Sequence, residues 1–135
     1  MAKMTLEFEG FDELIQRLNS VGKDTHEIAE KSLRKGFEAV TPGIASAIAP
    51  HRDTGQTEAS LVRTPNITWE GSTASVEVGF DIPHGGIASV FLMFGTPKMA
   101  PDRNLYNSVY GAKANRLMRQ SAEEVLYEAI RRAGL

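Results

Sequence analysis

The chain has 135 residues, 41% of them hydrophobic and 24% charged, with no cysteine and a formal net charge of −2. That length suits a single domain spanning 1–135, and the missing cysteine excludes a disulfide scaffold, a Cys-ligated zinc or iron–sulfur centre, and thiol catalysis. With 15 Lys+Arg against 17 Asp+Glu, a generally basic nucleic-acid binder is disfavoured, though a local basic patch is not.

Met4, Leu6 and Phe8 alternate with Thr5 and Glu7, which predicts a short strand over 4–8. Glu7 and Glu9 also interrupt any apolar core of a signal peptide. Phe11, Leu14, Ile15 and Leu18 recur at helical spacing, and Gly22 is a natural stop after them. Asp24 with Glu27 fits a capping box and opens a long helix over 24–49, carried by Ile28, Leu33, Phe37, Val40, Ile44 and Ile48. Pro42 inside it predicts a kink or a break. Residues 51–58 are polar and read as a loop.

Leu61, Ile67 and Trp69 share a parity, Glu70-Gly71-Ser72 turns the chain, and Ala74, Val76, Val78 and Phe80 alternate strictly with Ser75, Glu77 and Gly79. This is a hairpin over about 59–81, with Pro65 placing its first arm at an edge or interrupting it. Residues 81–86 form a second loop. The apolar run over 88–94 fits a short strand or a helical turn, and a strand is the expectation here. Residues 95–101 are irregular. Helix returns over about 103–133, with Gly111 as a weak point. The fold class is α+β: a small antiparallel sheet packed against a long kinked helix and a C-terminal helix. The longest uncharged stretch, 82–97, is shorter than the roughly 20 apolar residues of a membrane-spanning helix. An aqueous, cytosolic setting and no membrane partner are expected.

The chemical inventory is thin. His26, His51 and His84 have no metal-ligand spacing and read as surface or loop residues. His84-Gly85-Gly86 is similar to a hydrolase oxyanion loop, but no Gly-x-Ser-x-Gly elbow accompanies it. No phosphate loop is present. The carboxylate pairs Asp12-Glu13 and Glu123-Glu124 point about 100° apart on helices and make no acid/base dyad. No catalytic residue, cofactor or metal is therefore expected. Charge is unevenly spread: −4 over residues 1–100 and +2 beyond. Lys113, Arg116 and Arg119 step by three and share one side of the last helix. They form a solvated face, or a contact for phosphates or an acidic neighbouring subunit.

Two segments together are more specific. The first is Ala49-Pro50-His51-Arg52-Asp53-Thr54-Gly55, in which a long amphipathic helix ends in Ala-Pro and a Thr-Gly follows. The second runs from the Val-Gly strand Val76-Glu77-Val78-Gly79 to Phe91-Leu92-Met93-Phe94-Gly95-Thr96-Pro97-Lys98-Met99. This order resembles the minor structural proteins of long-tailed bacteriophages that act in tail completion and head–tail joining, over roughly residues 5–133. The chain departs from the family where a tyrosine-alanine pair and an acidic residue usually stand; here they are Ser89-Val90-Phe91 and Met93. It also has Arg103-Asn104-Leu105-Tyr106 where a Pro-Phe pair often opens the last helix.

What the resemblance implies is a non-enzymatic virion protein of the neck or tail, present in host cytoplasm before assembly. It would form a ring, with a hexamer expected, between the connector and the tail tube. Its partners would be further copies of itself, connector or head-completion proteins, and tail-tube or tail-terminator proteins. The motif positions Pro50, Thr54, Gly55, Phe91, Met93, Phe94, Gly95, Thr96 and Pro97 are then interface candidates, within contact loops 50–58 and 81–101. Lys113, Arg116 and Arg119 would face genomic DNA passing through the lumen. Two other readings stand beside this one: a small nucleic-acid-binding regulator using the same basic face, and a small hydrolase using His84.

Overall fold

A computed structural model of the chain describes residues 2–7, 25–51, 55–71 and 73–132. Strand β1, Ala2–Glu7, precedes the 24-residue helix α1, Thr25–Ile48. A 3-10 turn, Ala49–His51, and a one-turn helix α2, Gln56–Ala59, follow. Strands β2, Ile67–Glu70, and β3, Thr73–Val78, form the hairpin. Beyond a second 3-10 turn, Ile82–His84, come three helices: α3, Ile87–Phe94; α4, Arg103–Tyr110; and α5, Ala112–Arg132.

The strands make one antiparallel sheet in the order β1-β3-β2. Ile67 pairs with Val76 and Glu70 with Thr73, while Ala2 through Glu7 run opposite Val78 through Thr73. The expected alternation is present in β3 only in part: Ala74, Val76 and Val78 are buried and Glu77 is exposed, but Ser75 of the other face is buried as well, with its hydroxyl hydrogen-bonded to that of Thr68 at 3.0 Å. Both consequences read from Pro65 hold. The isolated bridge Leu61–Phe80 is separated from β2 by an unpaired stretch, and β2 lies at the sheet edge.

The α1 face spaced at Leu33, Phe37, Val40, Ile44 and Ile48 is buried throughout and meets β3, Phe80, Leu105, Val109 and Met118 in one core. Helix α1 packs most extensively on α5. The fully buried Ser32 hydroxyl donates to the Ala122 carbonyl at 2.7 Å, so no polar atom is stranded where the helices cross. At the N-terminal end of α1, the half-buried Trp69 of β2 stacks on His26, with ring centroids 4.3 Å apart. Its indole N–H donates to Glu30 Oε1 at 2.9 Å.

Five expectations change. Helix α1 runs through Pro42 without the break allowed for it. Pro42 and Glu38 are both exposed, so water can satisfy the Glu38 carbonyl that proline leaves without a donor. The core residues Val40 and Ile44 anchor the helix on either side. The polar loop 51–58 contains α2, and the loop 81–86 contains the second 3-10 turn.

Residues 88–94 are helix α3, not a strand. Burial follows a helical period there: Ser89 and Met93 are buried, while Ile87, Phe91 and Phe94 are exposed. The run is apolar on both sides, so its sequence carries no visible period. Lastly, the C-terminal helix is two helices, broken where Gly111 takes an extended conformation (φ −67°, ψ 156°). A Cβ at Gly111 would lie 2.5 Å from the Asn107 carbonyl oxygen. The short helix expected over 11–18 lies outside the described residues, as do Phe8 and the Asp24 cap.

Candidate assembly surface

The Phe-Gly-Thr segment is shaped by one glycine. Helix α3 ends at Gly95, whose φ of +77° is rarely adopted by other residues. A Cβ there would also meet the Met99 carbonyl oxygen and Pro101 at 2.9 Å. The chain then doubles back: the Thr96 N–H donates to Met99 O at 2.8 Å and the Met99 N–H to Thr96 O at 3.1 Å, with Pro97 and Lys98 at the tip. The Lys98 N–H also donates to Thr96 Oγ1 at 3.2 Å. Proline at the tip suits such a turn because its φ is already set.

Asp102 locks this turn to the rest of the molecule. Its N–H donates to the Leu92 carbonyl at 2.8 Å, and its Oδ1 accepts from the Leu105 N–H at 3.0 Å, capping α4. Its Oδ2 is hydrogen-bonded to Nε2 of His51, just past the end of α1. The His51 bond first, and the Leu105 amide second, hold the Asp102 carboxyl below its ordinary range.

The two motif segments therefore meet. His51, Gly55 and Glu58 on one side, and Ile87, Phe91 and Met99 on the other, line a shared cleft of about 370 Å³. Gly55, with φ +80°, starts α2 at the cleft. Pro50 is exposed in the preceding 3-10 turn, and Thr54 lies outside the described residues. Phe91 is 51% exposed and Phe94 58%. Gly95 is half-buried, and Thr96 and Pro97 are exposed. Met93 is the correction. It is 5% exposed and belongs to the core, so it cannot contribute to an outer patch. It sits on the Ser89 side of α3, opposite Phe91.

Lys113, Arg116 and Arg119 are exposed on the first half of α5. His84 is exposed, and its Nδ1 lies 3.0 Å from both Asp81 carboxylate oxygens. Among the described residues no three metal-ligating side chains gather, and no helix is long and apolar enough to cross a membrane.

Two features of this surface are not anticipated by the sequence reading. One is the His51–Asp102 pair, which joins residues 51 positions apart and leaves no local signal. The other is a ring cluster. Phe94 meets Tyr106 edge-on at 5.6 Å, Tyr106 and Tyr110 lie 5.3 Å apart, and Phe94 and Tyr110 6.3 Å apart. Its signal is present in the i, i+4 spacing of Tyr106 and Tyr110, about 100° round the helix from the core pair Leu105 and Val109. Desolvation, followed by the nearby Tyr106, raises the Tyr110 pKa above its ordinary value. Comparison of the chain with protein-family models, curated proteins and solved structures finds no match to any of them.

Proposed function

We propose that this chain is a non-enzymatic structural protein of a long-tailed bacteriophage. In this reading it acts in tail completion and head–tail joining as a ring between connector and tail tube. The observation that carries it is the convergence of the two motif segments on one cleft, with Ile87 (53% exposed) and Phe91 beside it. Apolar side chains of that size held on a helix, next to a polar rim, have the character of an interface core. The turn at 95–102 supports the same role. It is held by backbone bonds, by a positive-φ glycine and by the Asp102 clasp, so little entropy is lost when a neighbour docks on it. A heterologous contact, in which this surface meets a different patch on the next copy, closes into a ring.

Deletion of the gene from its phage tests the reading. The expected result is filled heads and separate finished tails, which join when the purified protein is added. Normal joined particles from the deletion would overturn it.

A further inference from the structure

Residues 95–122 contain Lys98, Arg103, Lys113, Arg116 and Arg119 against a single carboxylate, Asp102. Asp102 is already engaged by His51 and the Leu105 amide. This stretch therefore carries +4 within a chain of net −2, leaving −6 elsewhere. All five cations are exposed, and none is ion-paired among the described residues.

The rings share this stretch of chain with the cations: Tyr106 and Tyr110 stand between Arg103 and Lys113 in sequence. At about 100° per residue, Arg103 and Tyr110 fall on the same side of α4, with Tyr106 roughly 40–60° from them and the buried Leu105 and Val109 roughly 100–160° away. Phe94 reaches both tyrosines from α3. On α5, Lys113 and Arg116 lie opposite the buried Met118 and Ala122. The stretch thus offers Arg103 on the side of α4 that carries Tyr110, and Lys113 three residues beyond that ring, with Arg116 and Arg119 following along α5.

We propose that this surface binds single-stranded nucleic acid, with the phosphates on Arg103, Lys113, Arg116 and Arg119 and unpaired bases against Phe94 and Tyr110. A duplex satisfies the cations but keeps its bases stacked inside and leaves the rings in water. A single strand satisfies both, which is how sequence-tolerant binders of such strands work. An acidic protein segment satisfies the charges, but nothing in carboxylates calls for clustered rings. The inference does not rest on the ring reading and concerns the free chain, since Phe94 lies on the face of α3 that the ring reading covers on assembly.

Fluorescence polarisation of a labelled oligo-dT probe with the full chain tests it, from about 50 to 200 mM salt. Binding is expected to weaken as salt rises. Lys113→Ala/Arg116→Ala/Arg119→Ala should flatten the salt dependence by about 0.7 in log–log slope for each phosphate no longer neutralised. Tyr110→Ala and Phe94→Ala should each weaken binding about five-fold or more with the slope unchanged. Arg131→Ala, at the far end of α5, should change neither. Circular dichroism confirms that each variant is folded.

Absence of binding at the lowest salt overturns the proposal. Equal affinity for a duplex overturns it in favour of plain polyanion attraction. Displacement of the probe by poly-glutamate at equal charge overturns it in favour of an acidic protein partner.

Discussion

Helices α1 and α3 make opposite use of apolar sequence. Along α1, the repeating face is buried from Leu33 onward: Leu33, Phe37, Val40, Ile44 and Ile48 are each at most 4% exposed, and only Ile28 in the first turn is half-buried. Along α3, Met93 is buried while Ile87, Phe91 and Phe94 are more than half exposed. The first helix commits its hydrophobic face to the core. The second carries more than the core can take, and the excess lies beside a cleft and a stiff turn. The difference separates residues that hold the fold from residues available to a partner, although both look equally apolar in sequence.

Substitutions on the two helices should therefore diverge, and Phe37→Ala should have the largest effect. Removing a 1%-exposed phenylalanine should cost about 3–5 kcal/mol in urea unfolding. If the cost is under about 1 kcal/mol, α1 is not the core helix described. Next comes Gly95→Ala, which forces a side chain into a positive φ and against Met99 and Pro101. It should cost about 1–3 kcal/mol and loosen the 95–102 turn, seen as faster amide exchange at Thr96 and Met99.

Pro42→Ala tests the α1 side in the stabilising direction. It restores a helical hydrogen bond at an exposed site and should raise stability by about 2 kcal/mol. That is the helix-interior proline penalty less the entropy regained by the unfolded chain. No gain would mean that the helix is already adapted to the proline.

Asp102→Asn probes the clasp between the two regions and should cost about 1 kcal/mol at neutral pH, through removal of a charge-assisted bond to His51 and of a negative charge at the start of α4. The Asp102 carboxyl lies below its ordinary value when folded. Its contribution is therefore fully present above the unfolded carboxylate value and lost as pH falls through the folded one. The stability difference between wild type and Asp102→Asn should shrink as the pH falls below about 4. A difference that instead grows below about pH 4 would contradict the assignment. Phe91→Ser should have the smallest effect, under about 1 kcal/mol in the isolated chain.

Legibility in the sequence follows the same division. The β2–β3 hairpin and α1 are readable because each has one buried face and one wet face, so Val76 and Glu77, or Phe37 and Glu38, contrast in type as they do in burial. Helix α3 is not readable, since Phe91 and Met93 are both apolar and face opposite ways. The break at Gly111 is legible as a weak point and not as a bend. The motif positions Gly55 and Phe91 are legible one by one through the resemblance. Their meeting at a cleft depends on the packing of α2 and α3, which no local pattern encodes. The His51–Asp102 pair escapes for the same reason.

Under the proposed function, the wet face of α3 is covered during assembly. Complementation of the gene-deleted phage with the double variant Ile87→Asp/Phe91→Asp, counting joined particles by electron microscopy, puts that coverage to the test. The expected outcome is a folded, soluble protein of near wild-type stability that leaves heads and tails separate. Joined, infectious particles at wild-type yield from that variant would show that the exposed face of α3 has no part in joining.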